Sequence, residues 1–140
     1  MNTIRIKTHK MKNSYTGNFF FLLSKGLNAG KPLDRPCPNC FVVFAKNETE
    51  RSLLFWLCFG LWQGLYFQQF LTGSVIPFIR IDDIKNIVND AVLKIEMKNI
   101  DVFQSLETIE KLNQYQINIS QQLKLIKQMQ RAMMEKILKE

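Results

Sequence analysis

The last glycine and the last proline of the chain, Gly73 and Pro77, both fall in the run GSVIPFIRIDD, and the 63 residues after Pro77 contain neither. Tight turns between strands draw on glycine and proline, whereas long helices are broken by them. The back of the chain is therefore expected to be helical. The front holds the other five glycines and three prolines, which mark turns in a compact unit. The run SVIPFIRI is β-branched and apolar, and its internal proline restricts it to an edge strand, a strand start or a bulge. Asp82 or Asp83 can cap the helix that follows. We expect an α+β protein with a small mixed head over residues 1–81, in which a few strands surround a central apolar helix behind a basic N-terminal tail. Residues 82–140 should form a C-terminal helical hairpin or coiled coil, with helices over about 83–97 and 101–138.

Along the head, NTIRIK alternates as a short strand does. Tyr15, Phe19, Leu22, Leu23 and Leu27 lie near helical spacing and predict a helix over Thr16–Asn28, stopped by Gly30 and Pro32. Pro32–Asn39 reads as a loop feeding a strand at FVVF. Asn47 or Thr49 can cap a helix over Glu48–Leu71. No residue from Ser52 to Ile79 is charged, so a membrane span must be weighed. Gln63, Gln68, Gln69 and two glycines make insertion costly. Gly60, Gln63, Gly64 and Gln68 form one narrow polar or small stripe, as on a helix packed on several sides.

Beyond Pro77, Ile84, Ile87, Val88, Ala91, Val92 and Ile95 repeat with the period of an amphipathic helix. Lys98–Asp101 is the expected break, with Asp101 as the next cap. The last helix carries a heptad, with Val102, Ile109, Leu123 and Ile137 in one column and Leu112, Ile119, Ile126 and Met133 in the other. Gln116 and Gln130 interrupt the first column, as register-setting residues do in coiled coils. We expect a coil interface at Val102, Ile109, Leu112, Ile119, Leu123, Ile126, Met133 and Ile137, made with a second copy or a helical protein partner.

The net charge of +7 sits in the front: residues 1–77 hold nine Lys and Arg against three acids, and the rest hold ten against nine. Met1–Lys31 contains six basic residues and no acid, which suits phosphate backbones or an anionic surface. Lys7, Lys10, Lys12, Lys25, Lys31 and Arg35, with Tyr15 and Phe19 as aromatic neighbours, form the candidate contact set for duplex DNA. Against this, a basic isoelectric point is common without any nucleic-acid partner, and much of the opening reads as a mobile tail. Three cysteines are an odd count, so a reducing, cytoplasmic compartment is expected rather than a disulfide framework. The first twelve residues are polar and basic, and Phe19–Leu23 is too short for the apolar core of a secretion signal.

Little points to catalysis. Cys37-Pro-Asn-Cys40 is half of a zinc ribbon without the second pair, and it precedes a strand rather than opening a helix, which a thioredoxin-like pair requires. The reading favoured is a proline-shaped turn with partly buried thiols. Gly26–Lys31 has three residues between its glycines where a phosphate loop has four, and Pro32 stands where the hydroxyl belongs. With His9 as the one histidine, neither a Ser-His-Asp nor a Cys-His arrangement can be assembled. Asp82 and Asp83 read as a cap rather than an acid/base couple. No enzyme activity, metal or cofactor is expected.

From Trp56 to Leu138 the order of features resembles part of the specificity subunit of type I restriction–modification enzymes. The apolar helix LLFWLCFGLWQGLYFQQF, then GSVIPFIRIDDIKNI, resemble the second half of a target-recognition domain. IEKLN and QQLKLIKQMQRAMMEKIL resemble that subunit's long helix, which pairs with its counterpart and docks methyltransferase subunits. The whole chain also resembles a family of small uncharacterised bacterial proteins with a PCPNCF-type turn and a GSVIPFIR-type strand. The first resemblance implies a non-enzymatic, DNA-associated or restriction-related accessory protein, with the basic head on phosphates and the coil on a partner. The competing expectation is a protein-interaction or structural module that dimerises through the coil and has no nucleic-acid role. A membrane-anchored protein is the least favoured.

Overall fold

The computed structural model describes residues 4–98 and 101–139 and divides into two compact units, one ending at Leu106 and one beginning at Glu107. The first unit is built on a four-stranded antiparallel sheet in the order β1-β4-β2-β3. Its strands are β1 (Arg5–Thr8), β2 (Asn18–Leu23), β3 (Pro32–Leu33) and β4 (Cys40–Ala45). Three helices follow, α1 (Glu48–Gln63), α2 (Ile81–Lys98) and α3 (Val102–Leu138). The expected α+β class is what the chain adopts.

β1 and β4 stand where NTIRIK and FVVF predict strands, although Asn2 and Thr3 lie outside the described residues. The opening is thus no free tail from Arg5 onward. The helix predicted over Thr16–Asn28 is replaced by β2, whose central position explains the error. A strand buried on both faces shows a continuous apolar run instead of alternation, and periodicity alone cannot distinguish such a run from a buried helix. In NFFFLL, Phe20 and Leu22 face one side and Phe21 the other, and none of the three is more than 2% exposed. Consecutive phenylalanines favour the pleated surface, where rings pack on cross-strand neighbours.

α1 lies against the side of the sheet that carries Phe20, whose ring meets Phe55 edge-on at 5.4 Å. Leu54, Leu57, Cys58 and Leu61, at successive helical spacings, are its buried stripe. Asn47 caps it, accepting from the Glu50 N–H at 2.8 Å, and Glu48 and Glu50 sit favourably in the first turn. α2 buries Ile84, Val88 and Val92, and its Asn89 side chain accepts from the Ile4 N–H at 3.2 Å beside β1. It begins at Ile81, so Asp82 and Asp83 lie in its first turn rather than serving as its cap. Asp101 does cap α3, accepting from the Gln104 N–H at 3.5 Å. Of the predicted break at Lys98–Asp101, Asn99 and Ile100 lie outside the described residues.

The apolar stretch predicted to be one helix to Leu71 stops at Gln63. Gly64 ends it, the Leu65 N–H donates to Trp62 O at 3.1 Å, and the Tyr66 N–H reaches back to Leu61 O at 3.0 Å. These are the two bonds of a Schellman motif, which satisfies the last carbonyls of a helix. The chain then turns inward to bury Phe67, passes through one 3-10 turn at Gln68–Phe70, and continues as a loop. Gln68 therefore leaves the polar stripe expected on α1, and its side-chain amide donates to Leu27 O at 3.2 Å. Gly30, at φ +96°, lies so close to the Phe67 ring that a Cβ there would overlap it. The run SVIPFIRI is no strand: Thr72 and Phe78 exchange two backbone bonds of 2.9 and 2.8 Å, closing a loop around Val75 and Ile76. Phe78 also bridges Lys25, and the Ile79 N–H donates to Ser24 O at 3.0 Å, so this loop is tied to the end of β2. Pro77 explains why no ladder extends further, since it donates nothing.

The second unit is the body of α3. At 37 residues the whole helix is about 55 Å long at the standard rise. Its basic and acidic residues are mixed, and Lys111 meets Glu107 one turn earlier at 3.5 Å.

Leu65, 63% exposed at φ 65°, occupies the left-handed position that glycine usually takes after a helix. That conformation costs a side-chain-bearing residue roughly 1–2 kcal/mol. Leu65→Gly should raise unfolding stability by about 0.5–1 kcal/mol, once the greater freedom of glycine in the unfolded chain is offset. Urea denaturation measures this; an unchanged or lower midpoint would mean that the exposed side chain contributes more than the strain removes.

Candidate interaction surfaces

The register of the sheet divides its residues into two faces. Ile6, Phe20, Leu22, Phe41 and Val43 face the helices and are buried. Arg5, Lys7, Phe19, Phe21, Val42 and Phe44 face the other way. On that second face Phe21, Cys40 and Val42 form a small buried cluster, packed by Tyr15, Phe19, Leu33, Cys37 and Phe44. None of these residues is helical. Tyr15, in the loop between β1 and β2, lies 5.7 Å from the Phe19 ring and 5.4 Å from the Phe44 ring, both edge-on. The Arg5 guanidinium stands 4.6 Å over Phe44.

His9 belongs to this face as well. Its N–H donates to Cys40 O at 3.0 Å, its Nδ1 lies 3.0 Å from the Tyr15 hydroxyl, and its ring meets Phe21 edge-on at 5.1 Å. It is only 5% exposed, and its Nε2 is buried without a hydrogen-bond partner. The alternation of Arg5, Lys7 and His9 against Ile4 and Ile6 was the signal that places it on the sheet.

The Cys37–Cys40 turn is the feature that most invites a chemical reading. The Cys40 thiol donates to Cys37 O at 3.1 Å, and the Cys37 thiol to Asn39 O at 3.4 Å. Burial pushes the Cys40 thiol up to about 11, against a hydrogen bond with the Cys37 backbone that pulls it down, and burial alone pushes Cys58 up to about 12. A thiol so shifted is a poor nucleophile at neutral pH. Among the described residues no three His, Cys, Asp or Glu side chains gather to hold a metal ion. Among them, too, no helix is long and apolar enough to cross a membrane.

The basic residues singled out in the sequence are partly brought together. β1 and β2 finish, and β4 begins, at the same end of the sheet, because His9 meets Cys40 and Leu23 pairs with Cys40. Lys10, Lys25 and Lys31 belong to that end. Lys31 is held on the helix side, its ammonium 5.1 Å over the Trp62 ring. Lys7 projects from β1 on the helix-free face, Lys12 lies in the loop that crosses it, and Arg35 is exposed in the loop between β3 and β4. Sequence reasoning passed over Arg5 and Phe44, which complete the aromatic and basic surface around Tyr15 and Phe19.

The candidate coil residues lie as their spacing requires, along α3. Leu112, Ile119, Leu123, Ile126, Met133 and Ile137 are all more than half exposed, and Val102 and Ile109 are partly buried.

These features describe a small α+β protein with a four-stranded antiparallel sheet and a long third helix. The chain belongs to the family of unknown function DUF6943, whose pattern matches residues 6–136. This fits the resemblance to a small uncharacterised family; no likeness to restriction–modification specificity subunits emerges beside it. No curated protein and no solved structure matches the chain.

The thiols make a direct prediction. At pH 8, where Cys40 and Cys58 are almost wholly protonated, a thiol-specific reagent should modify Cys37 first, with the other two reacting only on denaturation. Peptide mass mapping after timed labelling reads the order; rapid labelling of Cys58 in the native protein would contradict its burial.

Proposed function

We propose that the protein is a non-enzymatic interaction module that associates with a second copy of itself through α3. The observation that supports this reading is the exposed apolar seam from Leu112 to Ile137, kept in heptad register on one helix. Each such side chain gains roughly 1.5–3 kcal/mol on full burial, so six on each of two helices outweigh the roughly 4–15 kcal/mol lost on association. A second copy suits the seam better than a strongly charged partner. In a parallel pair, the flanking positions set Tyr115 against Ser120, Gln122 against Lys127 and Met129 against Met134, with no like charges opposed. Gln116 and Gln130 would meet their own counterparts, which fixes the register.

A nucleic-acid role is the second reading, favoured by the gathering of Lys10, Lys25 and Lys31 at one end of the sheet. In it the head contacts the phosphate backbone of duplex DNA and the coil supplies a second head. A restriction-related accessory role is a narrower form of this reading.

Light scattering of the full chain at tens of micromolar should return the mass of a dimer, and Ile119→Asp with Ile126→Asp should return a monomer with its helix content reduced. A wild-type monomer at that concentration would sink the self-association reading. For the second reading, anisotropy of a labelled duplex should fall steeply between 50 and 200 mM salt, as release of counterions demands; binding indifferent to salt would remove Lys and Arg from the phosphates.

A further inference from the structure

The helix-free face of the sheet carries side chains that a merely solvated surface does not require. Phe19 and Phe44 are directly paired across β2 and β4, and Arg5 faces Phe44 across β1. Tyr15 leans on both rings from the loop above. All three aromatic rings are partly exposed, and Arg5 and Lys7 are exposed beside them. Lys10 and Lys12 are exposed in the loop that leads to Tyr15. Asp34, just past β3, is engaged by Arg51 at 2.9 Å.

We infer that this face binds single-stranded nucleic acid, with bases stacked on Phe19, Phe44 and Tyr15 and the backbone followed by Arg5 and Lys7. The chemistry selects the ligand. Basic side chains beside the rings call for a polyanion, and flat, partly exposed rings call for flat faces to stack on. A duplex offers phosphates but keeps its base faces stacked within itself, whereas an unpaired strand offers both. The guanidinium over Phe44 is already placed for a planar contact of its own, and it can serve a base and a phosphate together. Antiparallel strands hold these groups on a rigid platform, so little ordering is required on binding.

The inference rests on the nucleic-acid reading for its polyanion and narrows it to unpaired strands on a defined face. The test is fluorescence anisotropy of the full chain with a labelled 12-nucleotide oligothymidine and with a 12-base-pair duplex, at 50 and 200 mM salt. The single strand should bind at least about tenfold more tightly than the duplex. Phe19→Leu with Phe44→Leu, which keeps apolar volume and removes the rings, should weaken the single strand about tenfold or more and leave duplex binding unchanged. Arg5→Glu with Lys7→Glu, at exposed positions of an edge strand, should weaken the single strand and flatten its salt dependence. Equal affinity for both ligands, insensitive to the leucine pair, would overturn stacking while leaving the phosphate reading intact. Absence of binding to either ligand at 50 mM salt would overturn both. Single-strand binding that survives both double substitutions would move the site off this face.

Discussion

The pairing of β2 with β4 is the contact on which the first unit depends. Six residues on each strand are in register, from Asn18 with Ala45 to Leu23 with Cys40. Within that ladder Phe20 and Phe21 send one buried ring to each side of the sheet. Phe20 provides the surface on which α1 settles, and burial of such a ring contributes roughly 2–3 kcal/mol. Phe21 anchors the opposite cluster, where His9, Tyr15 and the Cys37–Cys40 turn collect. Both faces therefore take their organisation from adjacent residues of one strand.

That arrangement also sets the surroundings of the thiols, the histidine and the paired aspartates. Cys58 lies on the buried stripe of α1, and Cys40 is drawn into the sheet, so both thiols are held in their protonated form. His9 spends its Nδ1 on Tyr15, and its Nε2 is sealed off. Asp82 and Asp83 stand in the first turn of α2, where the helix dipole favours their charge. Around Tyr15, Phe19 and Phe44 the head leaves basic and aromatic side chains accessible, and elsewhere Leu27, Leu65, Val75 and Ile76 are exposed.

α3 poses a different physical problem. A long helix gains little from propensity, since most helical stability in proteins comes from packing of an apolar face. The apolar side chains on its two columns from Leu112 to Ile137 are more than half exposed, and their heptad spacing is the pattern in which like helices pack. Glutamines in one column lower the strength of such a seam while limiting the ways in which it can close.

Much of this was legible in the order of the residues. The glycine- and proline-free stretch after Pro77 required helices, the repeat from Ile84 to Val92 gave the buried face of α2, and Asp101 marked the start of α3, because these signals are local. Lys7, Lys10 and Lys25 were recognisable as exposed charge, and Tyr15 and Phe19 as their aromatic neighbours, but nothing local joined Arg5 to Phe44. Tertiary structure decided the rest. Tyr15, Phe19, Leu22 and Leu23 satisfy a helical period as well as a strand buried on both faces, and only the chance to pair with β4 selects the strand. The apolar run after Phe55 contains no charge to end a helix, yet Gly64, Leu65 and the need to bury Phe67 against Gly30 end it. Periodicity and capping are written within a few residues of each other and can be read from them; strand pairing and burial join residues far apart in the chain, and only the folded molecule brings those partners together.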